Sequence, residues 1–265
     1  KTKLKMAEVS EENLIFIKST TDRGWMRDSM PQFVKAKNEV FGWDFGFNAW
    51  AKYDNFKKDA KSSRVLLEML NIPYGIPVYN NTKIVLEGGS IDINGKGTLI
   101  TTEECLLDPV VQTRNPGFTK YDYEFAFREF LGVTNVIWLN KGIAGDDTHG
   151  HVDDLCRFVN PTTVVICDEN NKKDENYKIL KENIERLSSA TLEDGSKLEV
   201  VALPMPEPVV FDGMRLPASY ANFYIANGTV LVPTFNDSND RIALGILAEL
   251  FPKRKVVGIG AVDLV

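Results

Sequence analysis

"TKIVLEGGSIDINGKGTLITT", residues 82–102, reads as a β-hairpin, with strand-like alternation on either side of Asn94-Gly95, a pair that suits a tight turn. Two segments follow it: "KYDYEFAFREFLG" (120–132), with helical periodicity, and the short apolar run "TNVIWLN" (134–140). The order hairpin, helix, strand then repeats. "HVDDLCRFVNPTTVVICD" (151–168) turns through Asn160-Pro161 and leads to "DENYKILKENIERLSSA" (174–190) and "KLEVVALP" (197–204). "SYANFYIANGTVLVPTF" (219–235) turns through Asn227-Gly228 and leads to "SNDRIALGILAELF" (238–251) and "RKVVGIG" (254–260). Upstream, "QFVKAKNEVFGWDFGF" (32–47), "KKDAKSSRVLLEML" (57–70) and "IPYGIPVY" (72–79) make an earlier copy. The three asparagine turns stand 66 and 67 residues apart, a period that signals a repeat architecture.

"ENLIFIKST" (12–20) is expected to be the closing strand of a preceding unit, and the chain stops after "VVGIGAVDLV" where a further hairpin is due. The expectation is therefore one catalytic domain over residues 1–265, truncated at both ends, with no internal linker. The fold class is α/β.

Composition narrows the function. The 31 Lys+Arg against 37 Asp+Glu leave a net charge of -6, with no basic run to meet nucleic acid. No apolar run approaches the roughly 20 residues of a membrane span, and no signal peptide opens the chain. Three scattered cysteines form neither a disulfide framework nor a zinc CxxC, so a reducing, cytoplasmic setting is the expectation. The oligomeric state stays open, a homo-oligomer included.

The polar clusters fall in equivalent slots, between the last strand of one unit and the first hairpin strand of the next. "GWMRDS" supplies Trp25, Arg27 and Asp28, "VLEGGS" supplies Glu87, and "GDDTHGHVDD" supplies His151 and Asp153. Repeat symmetry carries these segments to a common axis, where each unit contributes a side chain to one cavity. Taken alone, Asp28 reads as a turn cap, Glu87 as a strand end and Trp25 as core. In H-V-D a period of two would send His151 and Asp153 to the same face of a strand. Asp146 and Asp147, beside Gly145, read as turn residues. T-H-x-H-x-D also resembles a zinc motif, but His149 and His151 are the only histidines and the remaining ligands are missing, so no metal is expected.

"WMRDS" (25–29), "EGGSIDINGKGTLITTEECLL" (87–107), "RNPGFTK" (114–120), "GDDTHGHVDDLCRFV" (145–159) and "LPASYANFYIANGTVLVP" (216–233) together resemble the agmatine deiminases. These belong to the guanidine-modifying superfamily, which includes arginine and peptidylarginine deiminases. The resemblance spans nearly the whole chain. It implies a five-fold pseudosymmetric α/β propeller of hairpin-helix-strand repeats, the fifth unit incomplete here. It also implies hydrolysis of agmatine to N-carbamoylputrescine and ammonia through a covalent cysteine amidino intermediate, with no metal or organic cofactor. Carried over by motif, Asp28 and Glu87 are acids near the guanidinium, His151 is the general acid/base, Asp153 is a second guanidinium-binding carboxylate, and Trp25 and Arg27 are substrate-binding. The family's nucleophilic cysteine lies in a Gly-rich H-C segment of the fifth unit, so it is expected beyond Val265, and the fragment is expected to be inactive. Cys105, Cys156 and Cys167 read as core. Arginine or peptidylarginine deimination, or non-catalytic guanidine binding, are the alternatives.

Overall fold

The computed structural model describes residue 6 and residues 9–265. Among the described residues four three-stranded sheets recur in chain order, each an antiparallel hairpin joined on its second strand by a parallel third. The first is Gln32–Ala36, Glu39–Trp43 and the short Tyr74–Gly75. The second is Asp92–Ile93, Thr98–Thr102 and Asn135–Leu139. Cys156–Asn160, Thr163–Asp168 and Glu199–Pro204 make the third, and Tyr224–Ile225, Thr229–Thr234 and Lys255–Gly260 the fourth. Helices Ser62–Met69, Lys120–Leu131, Asn176–Ser188 and Asp240–Leu250 connect hairpin to third strand.

Local chemistry sets these boundaries. Asn94 accepts the N–H groups of Lys96, Gly97 and Thr98 on its side-chain oxygen (2.8, 3.1 and 3.0 Å), closing the second hairpin. Asn160 does the same for Thr162 N–H at 2.9 Å. Thr119 and Asp122 form a capping box at the start of the helix Lys120–Leu131, and left-handed Gly132 (φ 69°) ends it. The middle strands Thr98–Thr102 and Thr163–Asp168 are buried almost throughout, covered on both faces.

One expected strand is absent: residues 14–20 enter no sheet, because no strand among the described residues lies alongside to pair with them. A second difference concerns H-V-D. His151 is extended (φ -57°, ψ 132°), but Val152–Asp154 is a 3-10 turn, and the strand starts only at Cys156. A turn rather than a pleat sets the direction of Asp153.

Buried charge ties successive units together. Asp92 in the second sheet accepts from Arg157 Nε (2.8 Å) and Phe158 N–H (2.5 Å) in the third. Arg157 also donates to the Phe223 carbonyl (3.0 Å) at the entrance to the fourth, and Arg27 reaches the same carbonyl (3.1 Å). Among the described residues no helix is long and apolar enough to cross a membrane.

Removing Asp92 would leave the Arg157 guanidinium buried without its counter-charge, which costs about 3–5 kcal/mol. Asp92→Ala is therefore expected to lower the unfolding free energy, measured by chemical denaturation, by that amount. An unfolding free energy within 1 kcal/mol of the parent, on the scale of surface substitutions, would show the tie to be dispensable.

Candidate active site

A cavity of about 660 Å³ opens where the inter-unit segments meet, and Trp25, Arg27, Asp28, His151 and Asp153 all line it. Asp28 belongs to the short helix Met26–Ser29. Its two oxygens accept separate hydrogen bonds, one from Trp50 Nε1–H (3.0 Å) and one from Gly89 N–H (3.1 Å). His151 Nδ1 lies 3.8 Å from Asp28 Oδ1 and 3.8 Å from Asp153 Oδ1, placing the imidazole between two carboxylates. Arg27 Nε binds Asp153 Oδ2 at 2.9 Å, and Asn222 donates to Asp153 (3.2 Å) and to Asp154 (2.5 Å). Trp25 is 53% exposed, a free aromatic face at the cavity wall rather than core.

The two glycines of E-G-G permit this convergence. A Cβ on Gly89 would stand 2.5 Å from His151 Nδ1, 2.8 Å from Asp28 Oδ1 and 3.0 Å from Asp153 Oδ1. One on Gly88 would stand 2.1 Å from the Arg27 carbonyl oxygen. Three functional side chains from two segments therefore crowd onto bare backbone from a third.

Glu87 is placed differently from the other acids. It is fully buried behind this wall, does not line the cavity, and pairs with Arg114 Nε at 3.0 Å. Ligand atoms of Glu87, Cys105 and His151 lie within 4.8 Å of one another, so the set has metal-ligating chemistry. However, Glu87 and Cys105 are buried away from the cavity and one Glu87 oxygen is already committed to a guanidinium, so an added divalent ion would be repelled by Arg114. His149 is not part of this set, its Nε2 being 3.0 Å from Asp108. Asp146 builds the loop around His151: its carboxylate accepts the N–H groups of Thr148 (2.7 Å), Gly150 (2.7 Å) and His151 (2.8 Å).

Electrostatically the site is an acidic pocket that its arginines neutralise only in part. Burial, then repulsion from Asp153 and Glu87, pushes the Asp28 carboxyl up to about 8. Burial raises Asp153 to about 6 against the opposing pull of Arg27 and Arg157, and lifts Asp154 well above the usual carboxylate range. Burial, followed by the charges of Arg114 and Arg27, holds His151 well below its ordinary value, so it is neutral near pH 7. A planar cation placed here would restore the charge that burial removes, through paired hydrogen bonds to carboxylates.

Several of these contacts are not visible in the linear sequence. Trp50 sits in a run, Ala49, Trp50 and Ala51, whose φ angles are all left-handed (50°, 58° and 52°), at about 1–2 kcal/mol each. Asn48 closes the turn by accepting Ala51 N–H at 2.9 Å. Arg23 lies over the rings of Trp50 (5.6 Å) and Tyr53 (4.8 Å) at the cavity rim. Only the glycine pair in "EGGS" carried a local signal; Trp50, Asn222 and Arg114 reach the site across 22 to 69 residues of chain.

The three cysteines all lie outside the cavity lining. Cys105 is buried in the short helix Glu103–Leu107 and Cys156 in the core cluster, and burial raises both thiols. Burial also pushes Cys167 up to about 12, while its Sγ lies 3.2 Å from Ser219 Oγ.

Comparison with known proteins gives concordant matches. The family model described as Porphyromonas-type peptidyl-arginine deiminase matches residues 2–265. The agmatine deiminase of Ectopseudomonas mendocina is 36% identical over 275 residues, which is 95% of this chain and 73% of the relative. A solved structure of Enterococcus faecalis agmatine deiminase superposes with a TM-score of 0.84 at 32% identity, covering 93% of this chain and 72% of the other. A C. jejuni agmatine deiminase with a cysteine-to-serine replacement, solved with substrate bound, has a TM-score of 0.84 at 29% identity over 98% of this chain and 74% of its own. Because that family model matches this chain over residues 2–265, the chain belongs to the Porphyromonas-type peptidyl-arginine deiminase family.

Proposed function

We propose that this chain carries the guanidine-binding site of an agmatine deiminase, a hydrolase that converts agmatine to N-carbamoylputrescine and ammonia. The observation that carries this reading is the pair of buried carboxylates, Asp28 and Asp153, flanking the neutral His151 on one cavity wall. The agmatine deiminases among its relatives support it. In this reading Asp28 and Asp153 hold the guanidinium N–H groups and orient its central carbon, while Trp25 and Arg27 shape the entrance. Glu87, sealed behind the wall, acts on His151 rather than on the substrate.

The chemistry follows from the groups available. His151, neutral at rest, takes the proton of the thiol; the thiolate adds to the guanidinium carbon, the imidazolium passes that proton to the departing nitrogen, and ammonia leaves behind a covalent amidino-thioether. Water, deprotonated by His151, adds to that carbon, the thiolate departs, and the guanidine has become a urea. The sequence of steps uses neither a metal nor an organic cofactor. The reading takes the nucleophile from outside residues 1–265, since Cys105, Cys156 and Cys167 do not line the cavity. It also takes the four observed units as part of a five-fold propeller forming a single catalytic domain, in the cytoplasm.

Agmatine is favoured over arginine because an α-carboxylate needs a free cation. Each arginine lining the cavity is already engaged, Arg23 with Asp59 (3.5 Å), Arg27 with Asp153 (2.9 Å) and Arg215 with Asp174 (3.0 Å).

Three outcomes test this. Bound agmatine favours ionised Asp28, raised to about 8 when the site is empty, so binding should release a proton near neutral pH. The affinity is expected to rise at least tenfold from pH 6 to pH 8.5, measured by calorimetry in buffers of different ionisation enthalpy; equal affinities at the two pH values would sink the buried-carboxylate argument. The same linkage destabilises the empty protein as pH rises from 3.8 towards 8, because the unfolded Asp28 gives up its proton first. Gly89→Ala should weaken agmatine binding tenfold or more, its methyl group displacing His151 and Asp28; unchanged affinity there means the side chains do not converge as described. An ammonia-release assay should find no turnover of agmatine by residues 1–265 and turnover in a longer form carrying the nucleophile, where His151→Ala lowers kcat roughly 100-fold or more. Full activity in the short form would reassign the nucleophile.

A further inference from the structure

Arg114 has no solvent exposure in its side chain, yet it lies outside the cavity lining and cannot meet substrate. Its donors reach three separate pieces of chain. Nε binds Glu87 Oε1 at 3.0 Å, Nη1 donates to the Gln112 carbonyl at 2.9 Å, and Nη2 donates to the carbonyl of Thr148, three residues before His151. Gln112 extends the same scaffold, its Nε2 donating to the carbonyls of Trp50 (3.2 Å) and Asp147 (3.1 Å). The loop that presents His151, the acid behind it and the turn that presents Trp50 to Asp28 are thus joined through one guanidinium and its neighbour. Behind the wall, Glu87 Oε2 and His151 Nε2 are buried and have no hydrogen-bond partner among the described residues.

We propose that Arg114 is a positioning residue for the deiminase reaction, fixing the His151 loop through the Thr148 carbonyl and holding Glu87 in place behind the imidazole. This role rests on the agmatine deiminase reading only in naming the reaction; the effect on His151 exists in the empty protein. The groups facing His151 are Asp28 and Asp153 on the cavity side, and Glu87 and Cys105 in the sealed set, with Arg27 and Arg114 the cations acting on it. Four of these groups are acids or a thiol, which a protonated imidazole would satisfy. Burial and the two arginines oppose that protonation, and Arg114 acts most strongly of the two. A lysine would preserve the charge but not the planar fork that spans Glu87 and Thr148 at once.

The chain has only two histidines, so its C2–H proton resonances give a direct readout, assigned with His149→Gln. In Arg114→Met the His151 titration is expected to move up by one pH unit or more. Arg114→Lys should shift it less, while amide exchange at Thr148–His151 accelerates tenfold or more in both variants. Circular dichroism checks that each variant folds. If Arg114→Met does not fold, the accelerated exchange in Arg114→Lys and the His151 titration in Glu87→Gln carry the test. An unmoved His151 titration in folded Arg114→Met, or unmoved exchange in Arg114→Lys, overturns the proposal. Agmatine binding to the parent chain is measured separately, so failure of the deiminase reading would appear as absent binding with the His151 response intact.

Discussion

A carboxylate taken out of water must find positive charge or give up its ionised form, and the centre of this molecule is organised around that requirement. Asp28, Asp153, Asp154 and Glu87 are all buried within a few side chains of one another. Arg27 answers Asp153 and Arg114 answers Glu87, which leaves Asp28 and Asp154 without a paired arginine or lysine among the described residues. The excess is directed into the cavity, where a guanidinium can complete it. Fold and ligand are in this sense two halves of the same charge balance.

The arginines also connect the repeats. Arg157 joins the second, third and fourth units through Asp92 and the Phe223 carbonyl, and Arg27 brings the first unit to that same carbonyl. Contacts between neighbouring units are thus polar as well as apolar, and the Arg27 and Arg157 ties end at Phe223, between the cavity-lining residues Asn222 and Tyr224. Displacement of one unit would therefore move a carboxylate relative to His151. Gly88 and Gly89 set the closeness of approach, since any side chain there would occupy the space of the groups that meet.

The hairpin-helix-strand order was legible because it is local: the alternation, the asparagine turns and the helical periodicity each lie within one segment. The common slot of Asp28, Glu87 and His151 followed from the period of the repeat. The direction of Asp153 was right for the wrong reason, since the 3-10 turn at Val152–Asp154 depends on the Asp146 carboxylate capturing the backbone just before it. Residues 12–20 carried a strand pattern, but a strand forms only where a neighbour accepts its hydrogen bonds. The roles of Trp50, Arg114 and Asn222 were illegible because their partners are distant in sequence; the segments of Arg114 and Asn222 carried the family resemblance without showing what those side chains touch. Glu87 was found, but its withdrawal behind His151 is a matter of which side chains Arg114 can reach, a fact of packing alone.

The left-handed run Ala49, Trp50 and Ala51 gives the cavity wall an unequal mechanics. Three residues held in that conformation store about 3 to 6 kcal/mol that the extended chain would release. The indole hydrogen bond to Asp28, the Gln112 bond to the Trp50 carbonyl and the burial of the Trp50 ring hold it shut. The wall therefore behaves as a latch under tension, and a change that frees the indole also frees the backbone beneath it. Protonation of Asp28 weakens the acceptor for that indole, so the same proton that empties the guanidinium site also slackens the latch beside it.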